Sequence, residues 1–393
     1  MVALQVTTGQ TPRVDRLVDL MRTFTERRNP GHETVAFELI VPHWLARARE
    51  LGIDLPYADL SWIEEIRARK LALVPHGMVA GTTLVHTLEA LGRNFTEADL
   101  SEMQSPSGAF GCSPAATAYA YGAGRVSGTL ELLREATSQT GSGGLSPIYP
   151  FDHFETCWSL HFRKLGGTPP EQLRAEVAEL ARHAVAGRLG MSAHGVPVDS
   201  DDTAVLTTLL RYCGLPEHPH AMDPFERPDG YATYDFERTI SISTNVHALP
   251  VADAGCAARI VESLRQHRIG GAYWLDKWHL SPYYPTAEAV HVLADIAPDL
   301  HRDAVRWMLD TQHPDGSWGH GCEETAYVLL ALMNSGVDEG VEAGMAYLRA
   351  RRGTEVLPEL WIGKTLYTPF NVVRSAIDAA HRLFAARRKV VTT

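Results

Sequence analysis

Apolar residues recur every three or four positions along most of this chain, the period of one buried helix face. The pattern predicts helices in "DRLVDLMRTFTERR" (15–28), "FELIVPHWLARARELGI" (37–53), "SWIEEIRARKLALV" (61–74) and "TLVHTLEALG" (83–92). It continues through "EQLRAEVAELARHAV" (171–185), "DTAVLTTLLRYCG" (202–214), "AARIVESLRQHR" (257–268) and "AEAVHVLADIA" (287–297). "RDAVRWMLDTQ" (302–312), "ETAYVLLALMNSG" (324–336) and "RSAIDAAHRLFAARR" (374–388) complete the series. Glycine or proline punctuates nearly every one. Strand-type alternation is scarce; "GYATYDFERTISIS" (230–243) is the best candidate and reads equally as a loop. The expectation is an all-α protein assembled from helix pairs.

After about residue 150 the pairs recur at roughly 40 to 50 residues, a spacing that suits a solenoid or a closed ring. "SPSGAFGCSPAATAYAYGAG" (105–124) and "HPDGSWGHGCEETAYVLLAL" (313–332) share one design: a glycine turn, an aromatic residue, then a helix. One copy in each half suggests two related helical domains. The stretch richest in Gly, Ser and Pro, "QTGSGGLSPIYP" (139–150), is the expected boundary. The division drawn from it is an N-terminal segment 1–30, a helical domain 31–145 and a second 146–393.

Composition narrows the function. A chain of 393 residues, 45% apolar, has the material for two buried cores. A net charge of -11 argues against nucleic acid as a partner, because that binding needs a basic face. Cys112, Cys157, Cys213, Cys256 and Cys322 are dispersed, with no metal-ligand spacing. They suit buried thiols in a reducing cytoplasm, the expected location. No apolar run is long enough for a membrane span, and the first residues lack the apolar core of a signal peptide.

The densest chemistry is "PVDSDDTAVLTTLL" (197–210), with Asp199, Asp201 and Asp202 opening an apolar helix. Helix capping accounts for one or two of these carboxylates. Three repel one another, so a buried one keeps its proton near neutral pH. A protonated carboxyl in an apolar cavity is a general acid able to protonate an alkene, provided the cation is stabilised. Aromatic faces stabilise cations without attacking them. Trp274, Trp278, Tyr283, Tyr284, Trp318, Trp361 and Tyr367 are candidates, each with ordinary core packing as the competing reading.

"VDSDDTA" resembles the DxDDTA motif of class II terpene cyclases, and further blocks follow in that family's order. They are "HETVAFELIVPHWLARARELGIDLPY", "RKLALVP", "TTLVHTLEALG", "SGAFGCSPAATAYA", "PIYPFDHFETCWSL", "ERTISISTNVHAL", "WLDKWHLSPYYPTAEAV", "DGSWG" and "WIGKTLYTP". The resemblance spans about residues 30 to 378 and is strongest to bacterial diterpene cyclases of the copalyl diphosphate synthase type. It implies an α/α-barrel fold with a β domain, a γ domain and the active cavity between them. Fewer residues precede the first block than in full-length relatives. The resemblance therefore implies an N-terminally shortened member with a reduced γ domain, in which residues 15–28 replace one helix and a homodimer is one way to close the cavity.

The implied reaction is protonation-initiated cyclisation of geranylgeranyl diphosphate to a bicyclic product of the copalyl or halimadienyl type, with the diphosphate retained. Asp201 would be the acid, and Asp199 and Asp202 would hold its proton in place. Lys70 and Lys277 fall in the family's phosphate-binding blocks; a surface lysine with a buried stem is the competing reading. Lys364 and Arg238 are weaker candidates. Asn245, in "TNVHAL", joins the substrate-binding set. Magnesium accompanies the diphosphate, with Glu33 and Glu38 as the available ligands. His86 matches a histidine that holds a terminating water in some relatives, but Pro147 stands where its asparagine partner would be. The alternatives are a sesquiterpene or meroterpenoid cyclase, a non-catalytic prenyl-diphosphate binder or partner subunit, and a zinc prenyltransferase subunit.

Overall fold

The computed structural model describes residues 35–53, 61–72, 79–124, 126–140, 145–193, 196–234, 237 and 240–391. They fall into two compact units that divide at Pro150 and Phe151, five residues beyond the boundary drawn from the glycine-rich stretch.

The first unit contains α1 (Phe37–Glu50), α2 (Ser61–Ala72), a 3-10 helix (Thr83–Ala90), α3 (Glu97–Met103), α4 (Pro114–Gly124) and α5 (Thr129–Thr140). Leu39, Val85, Leu88, Leu100 and Phe110 form its core. The predicted α-helix at 83–92 is a 3-10 helix instead. Thr82 caps it, and Thr87 leaves helical geometry at φ -123° and ψ 27°, so the segment stops short of a full α-helix. The predicted helix 15–28 lies outside the described residues.

The second unit is a ring of six inner helices: α6 (Asp152–Leu165), α8 (Ser200–Tyr212), α9 (Ile242–Ala248), α11 (Tyr283–Leu293), α13 (Cys322–Asn334) and α15 (Phe370–Val391). Each packs on the next, and α15 closes the ring on α6. The helices α7 (Pro170–Ala181), α10 (Ala254–Gln266), α12 (Pro298–Asp310) and α14 (Val341–Ala350) cover the outside. Residue pattern decides which layer a helix takes. In α12 only Leu300, Ala304, Val305 and Met308 are buried, a single stripe. In α13 every residue from Cys322 to Met333 is buried, so it must be surrounded. The described strands are two short hairpins, β1 (Glu226–Arg227) with β2 (Gly230–Tyr231), and β3 (Trp361–Ile362) with β4 (Leu366–Tyr367).

The duplicated glycine-turn design recurs at the level of atoms. Thr117 Oγ1 accepts from Phe110 N–H and donates to Ser113 O; Thr325 Oγ1 accepts from Trp318 N–H and donates to Gly321 O. Both N–H bonds are 3.1 Å. Gly108 and Gly316 have φ near +90°, and a Cβ at either would lie 2.9 Å from Gly128 O or 2.4 Å from Ala343 O. The turns therefore need glycine both for the backbone angle and for the close approach.

Candidate active site

The first turn of α8 is fastened on both sides. Asp199 N–H bonds to Leu189 O, Ser200 N–H to Thr233 O, and Ser200 Oγ to Ala232 O. Asp199 is the N-cap, its Oδ1 accepting from Asp202 N–H at 2.8 Å. Capping thus explains Asp199 and leaves the other two carboxylates for other roles. Asp199 and Asp202 are buried, whereas the Asp201 side chain keeps 16% exposure.

Burial, then the Asp202 charge beside it, pushes the Asp199 carboxyl well above the usual range. Burial raises Asp202 to about 7; its bond with Asp199 and the nearby His247 oppose that, while the Asp201 charge adds to it. Among the described residues, no neighbouring N–H or O–H reaches Asp199 Oδ2 or either Asp202 oxygen. Both carboxyls therefore favour their protonated forms towards neutral pH, and Asp201 is the member that keeps exposure.

Asp201 has a partner on the next helix of the ring. His247 on α9 places Nδ1 2.6 Å from Asp201 Oδ1, and its Nε2 lies 3.3 Å from Glu288 Oε2 on α11. His161 on α6 brings its Nε2 to 2.9 Å from the same Glu288 oxygen. Burial alone would lower His247, but the Asp201 charge and hydrogen bond, with Glu288, raise it to about 10. Burial would raise Glu288, and the two histidines instead hold it well below the carboxylate range. His247 is therefore a buried imidazolium that donates to Asp201 on one side and Glu288 on the other. These ligand atoms of His161, His247 and Glu288 lie within 4.8 Å of one another, and here they satisfy one another by hydrogen bonding.

Aromatic rings surround this chain of groups. Trp158 meets His247 edge-on at 5.5 Å and donates its indole N–H to the Tyr284 hydroxyl at 2.8 Å. Phe154 stacks on Trp158 at 4.6 Å, and Trp361 packs against Phe154 at 5.4 Å and Tyr284 at 4.9 Å. Tyr367 reaches the group through Phe151 at 6.1 Å, and its phenol is held above its ordinary range by burial and by the Asp202 charge.

A partly exposed aspartate at a helix start, bonded to a buried histidine and set near aromatic rings, is an arrangement suited to alkene protonation. A type B diterpene cyclase of Mycobacterium tuberculosis is 32% identical over 381 residues, covering 89% of this chain and 76% of that protein. An ent-copalyl diphosphate synthase of a Streptomyces strain is 34% identical over 403 residues, covering 91% and 76%. This chain is a class II diterpene cyclase of the copalyl diphosphate synthase type. The solved ent-copalyl diphosphate synthase of Streptomyces platensis aligns with TM-score 0.74 at 28% identity, covering 95% of this chain and 83% of that one. The plant enzyme from Arabidopsis thaliana, at 20% identity and TM-score 0.58, shares the fold. No family model matches the cyclase.

The cyclase brings Asp199, Asp201, Asp202, Tyr284, Trp361 and Tyr367 to one end of its ring. It uses other predicted residues differently. Asn245 serves the backbone. Its Oδ1 accepts from Tyr231 N–H, and its Nδ2 donates to Tyr231 O and Ser241 O, all at 2.8 Å. With its amide committed to fixing β2 on α9, Asn245 is not free to bind substrate. Trp318, fully buried, donates its indole N–H to Met308 O and anchors α12 to α13. Tyr283 packs outward against Trp307 at 4.8 Å. Trp274 donates its indole N–H to Leu264 O.

Lys277 is ion-paired with Glu237 at 2.8 Å and lies 5.0 Å over the Trp278 ring, while Trp278 donates to Thr233 Oγ1 at 3.2 Å. Lys70 pairs with Glu38 in the first unit. That pairing tests the magnesium expectation, because a single carboxylate already carrying a lysine is a poor divalent-ion site. Among the described residues, Glu38 does not fit the role assigned to it; Glu33 and Arg238 lie outside them. His86 sits in the first unit with Nδ1 2.6 Å from Gly111 O, where it holds the glycine turn.

His247, Glu288 and His161 are site residues that the sequence did not single out. Each stands among mainly apolar neighbours on its helix, in "TNVHAL", "PTAEAV" and "WSLHF". A polar residue isolated inside an apolar helix is the signal that points to them.

Proposed function

We propose that the cyclase takes geranylgeranyl diphosphate and converts it to a bicyclic diterpenyl diphosphate of the copalyl or halimadienyl class. The observation that carries this reading is the Asp201–His247 bond. Asp201, ionised when it raises His247, takes up a proton from solvent before each turnover; with Oδ1 held by His247, that proton sits on Oδ2 and is delivered to the terminal alkene. The imidazolium then stabilises the carboxylate left behind, and the buried Asp199–Asp202 pair adds no full charge beside it. Trp158, Tyr284 and Trp361 offer ring faces to the cation, each interaction contributing on the order of 1–2 kcal/mol when desolvated. The last cation loses a proton from an adjacent carbon to solvent, forming the product's alkene; no C–O bond is broken, so the diphosphate leaves with the product. Lys277, among aromatic and acidic neighbours, supplies one cation for the diphosphate. Magnesium, where present, would screen the same diphosphate; no step here depends on it.

Farnesyl and geranylgeranyl diphosphate assayed side by side test the substrate. The expected result is kcat/KM at least about tenfold higher for the longer chain, since each buried CH2 contributes about 0.8 kcal/mol. Preference for farnesyl diphosphate would point to a sesquiterpene cyclase instead.

The aspartate pair also predicts a pH dependence. Ionisation of Asp202 near pH 7 puts a negative charge beside the acid and makes it hold its proton more tightly. kcat should therefore fall on the alkaline side with a midpoint near 7. In Asp202→Asn that limb should move to higher pH or vanish. A limb that stays in place would assign it to another group.

A further inference from the structure

A second buried carboxylate sits in the first turn of α13. Glu323 is fully buried. Three donors converge on its Oε1: Trp361 Nε1–H at 2.8 Å, Tyr327 O–H at 3.0 Å and His279 Nε2 at 3.2 Å. His279 Nδ1 lies 3.1 Å from Ser281 N and 3.3 Å from Ser281 O; in the tautomer that accepts from Ser281 N–H, Nε2 carries the ring proton towards Glu323. Oε2 has no hydrogen-bond partner among the described residues, and no lysine or arginine there pairs with Glu323. Its neighbours are rings: His279 stacks on Tyr284 at 4.8 Å and meets Trp361 at 5.1 Å.

Such an arrangement is expensive for a resting protein. A buried carboxylate with dipolar partners and no counter-cation loses hydration that hydrogen bonds restore only in part. It is well suited to a positive charge that exists only briefly, because fixed charges and dipoles aimed at a developing charge need no reorganisation when it forms. The indole N–H of Trp361 and the hydroxyl of Tyr327 both donate to this carboxylate, which makes their ring faces more electron-rich. Tyr284 packs on Trp361 and lies within the field of Asp201, so the rings tuned by Glu323 belong to the same end of the barrel as the acid.

We propose that Glu323 is a positioning residue that supplies a fixed counter-charge, through Trp361 and Tyr284, for the carbocation formed when Asp201 protonates the substrate. The inference rests on the cyclase reading above. Glu323 does not touch the reacting carbons; it sets the charge and orientation of the rings that do.

The test uses Glu323→Gln, which keeps an acceptor for the three donors and removes the charge. Two probes are compared in the full chain: an aza-analogue of geranylgeranyl diphosphate, whose ammonium mimics the cation, and its uncharged carbon isostere. The expected result is a loss of about tenfold in the ammonium analogue's affinity relative to the isostere, and a fall in kcat of about tenfold with KM nearly unchanged. Equal weakening of both analogues, or no change in either, would overturn the proposal by reducing Glu323 to packing. If Glu323→Gln does not fold, Glu323→Met decides the matter: it removes the charge and leaves every ring in place. A reduced ammonium preference in that variant supports the proposal, and an unchanged one overturns it. Wild-type turnover is measured alongside. If wild type fails to cyclise geranylgeranyl diphosphate, the cyclase reading fails. If wild type cyclises it and the ammonium preference survives in the variant, only this inference fails.

Discussion

Asp201→Asn should lose turnover by at least about a hundredfold while the protein stays folded, since a general acid contributes roughly 10²–10⁴-fold. The side chain keeps its size and the oxygen that accepts from His247, so the 2.6 Å contact survives in the variant. What it loses is the proton on the outward oxygen. Neither neighbour replaces it: Asp199 is fixed as a helix cap and Asp202 is buried against it. Substrate affinity should change little, since the proposed diphosphate partner is Lys277 and not Asp201. Steady-state kinetics on the variant, with circular dichroism to establish folding, checks this. Residual activity within about tenfold of wild type would move the acid to another group.

Glu288→Leu should be the most damaging single change to stability. Glu288 Oε2 is the shared acceptor for His161 and His247, and all three side chains are buried. Removing it leaves a buried imidazolium and a second imidazole without their partner, a loss of about 3–5 kcal/mol by analogy with other broken buried pairs. The pH profile of stability gives the sign a second check. His247 rises from 6.5 to about 10 on folding, so its contribution is fully present below pH 6.5 and is lost as pH rises through 10. Wild type should therefore weaken steadily between pH 6.5 and 10. Glu288→Leu should be weaker at neutral pH and flatter across that window. Urea denaturation at a series of pH values measures both, and equal slopes for the two proteins would contradict the network.

Much of this arrangement is visible in one dimension. The stripe on α12 and the run of aspartates ahead of α8 are local patterns, and local patterns survive in a sequence. The α6 helix is harder to see. Asp152, Glu155, Thr156, Ser159 and Arg163 make a regular polar stripe, but the opposite, buried face contains His153 and His161, which break the apolar pattern in the letters. The Asp201–His247–Glu288–His161 chain is hidden for a different reason. Its members come from four helices, with His161 and Glu288 separated by 127 positions, and only closure of the ring brings them together. Asn245 and Trp318 show the opposite error. A polar amide or a tryptophan inside a family block looks the same in letters whether it meets substrate or a backbone carbonyl.

In the proposed reaction this cyclase adds a proton from Asp201 and leaves the diphosphate in place. Turnover of geranylgeranyl diphosphate in deuterium oxide tests it directly. The expected product is bicyclic, still carries its diphosphate and contains one solvent deuterium, located by NMR on the ring methylene next to the gem-dimethyl carbon. Release of inorganic diphosphate with a product free of deuterium would show ionisation instead of protonation, and would contradict the account.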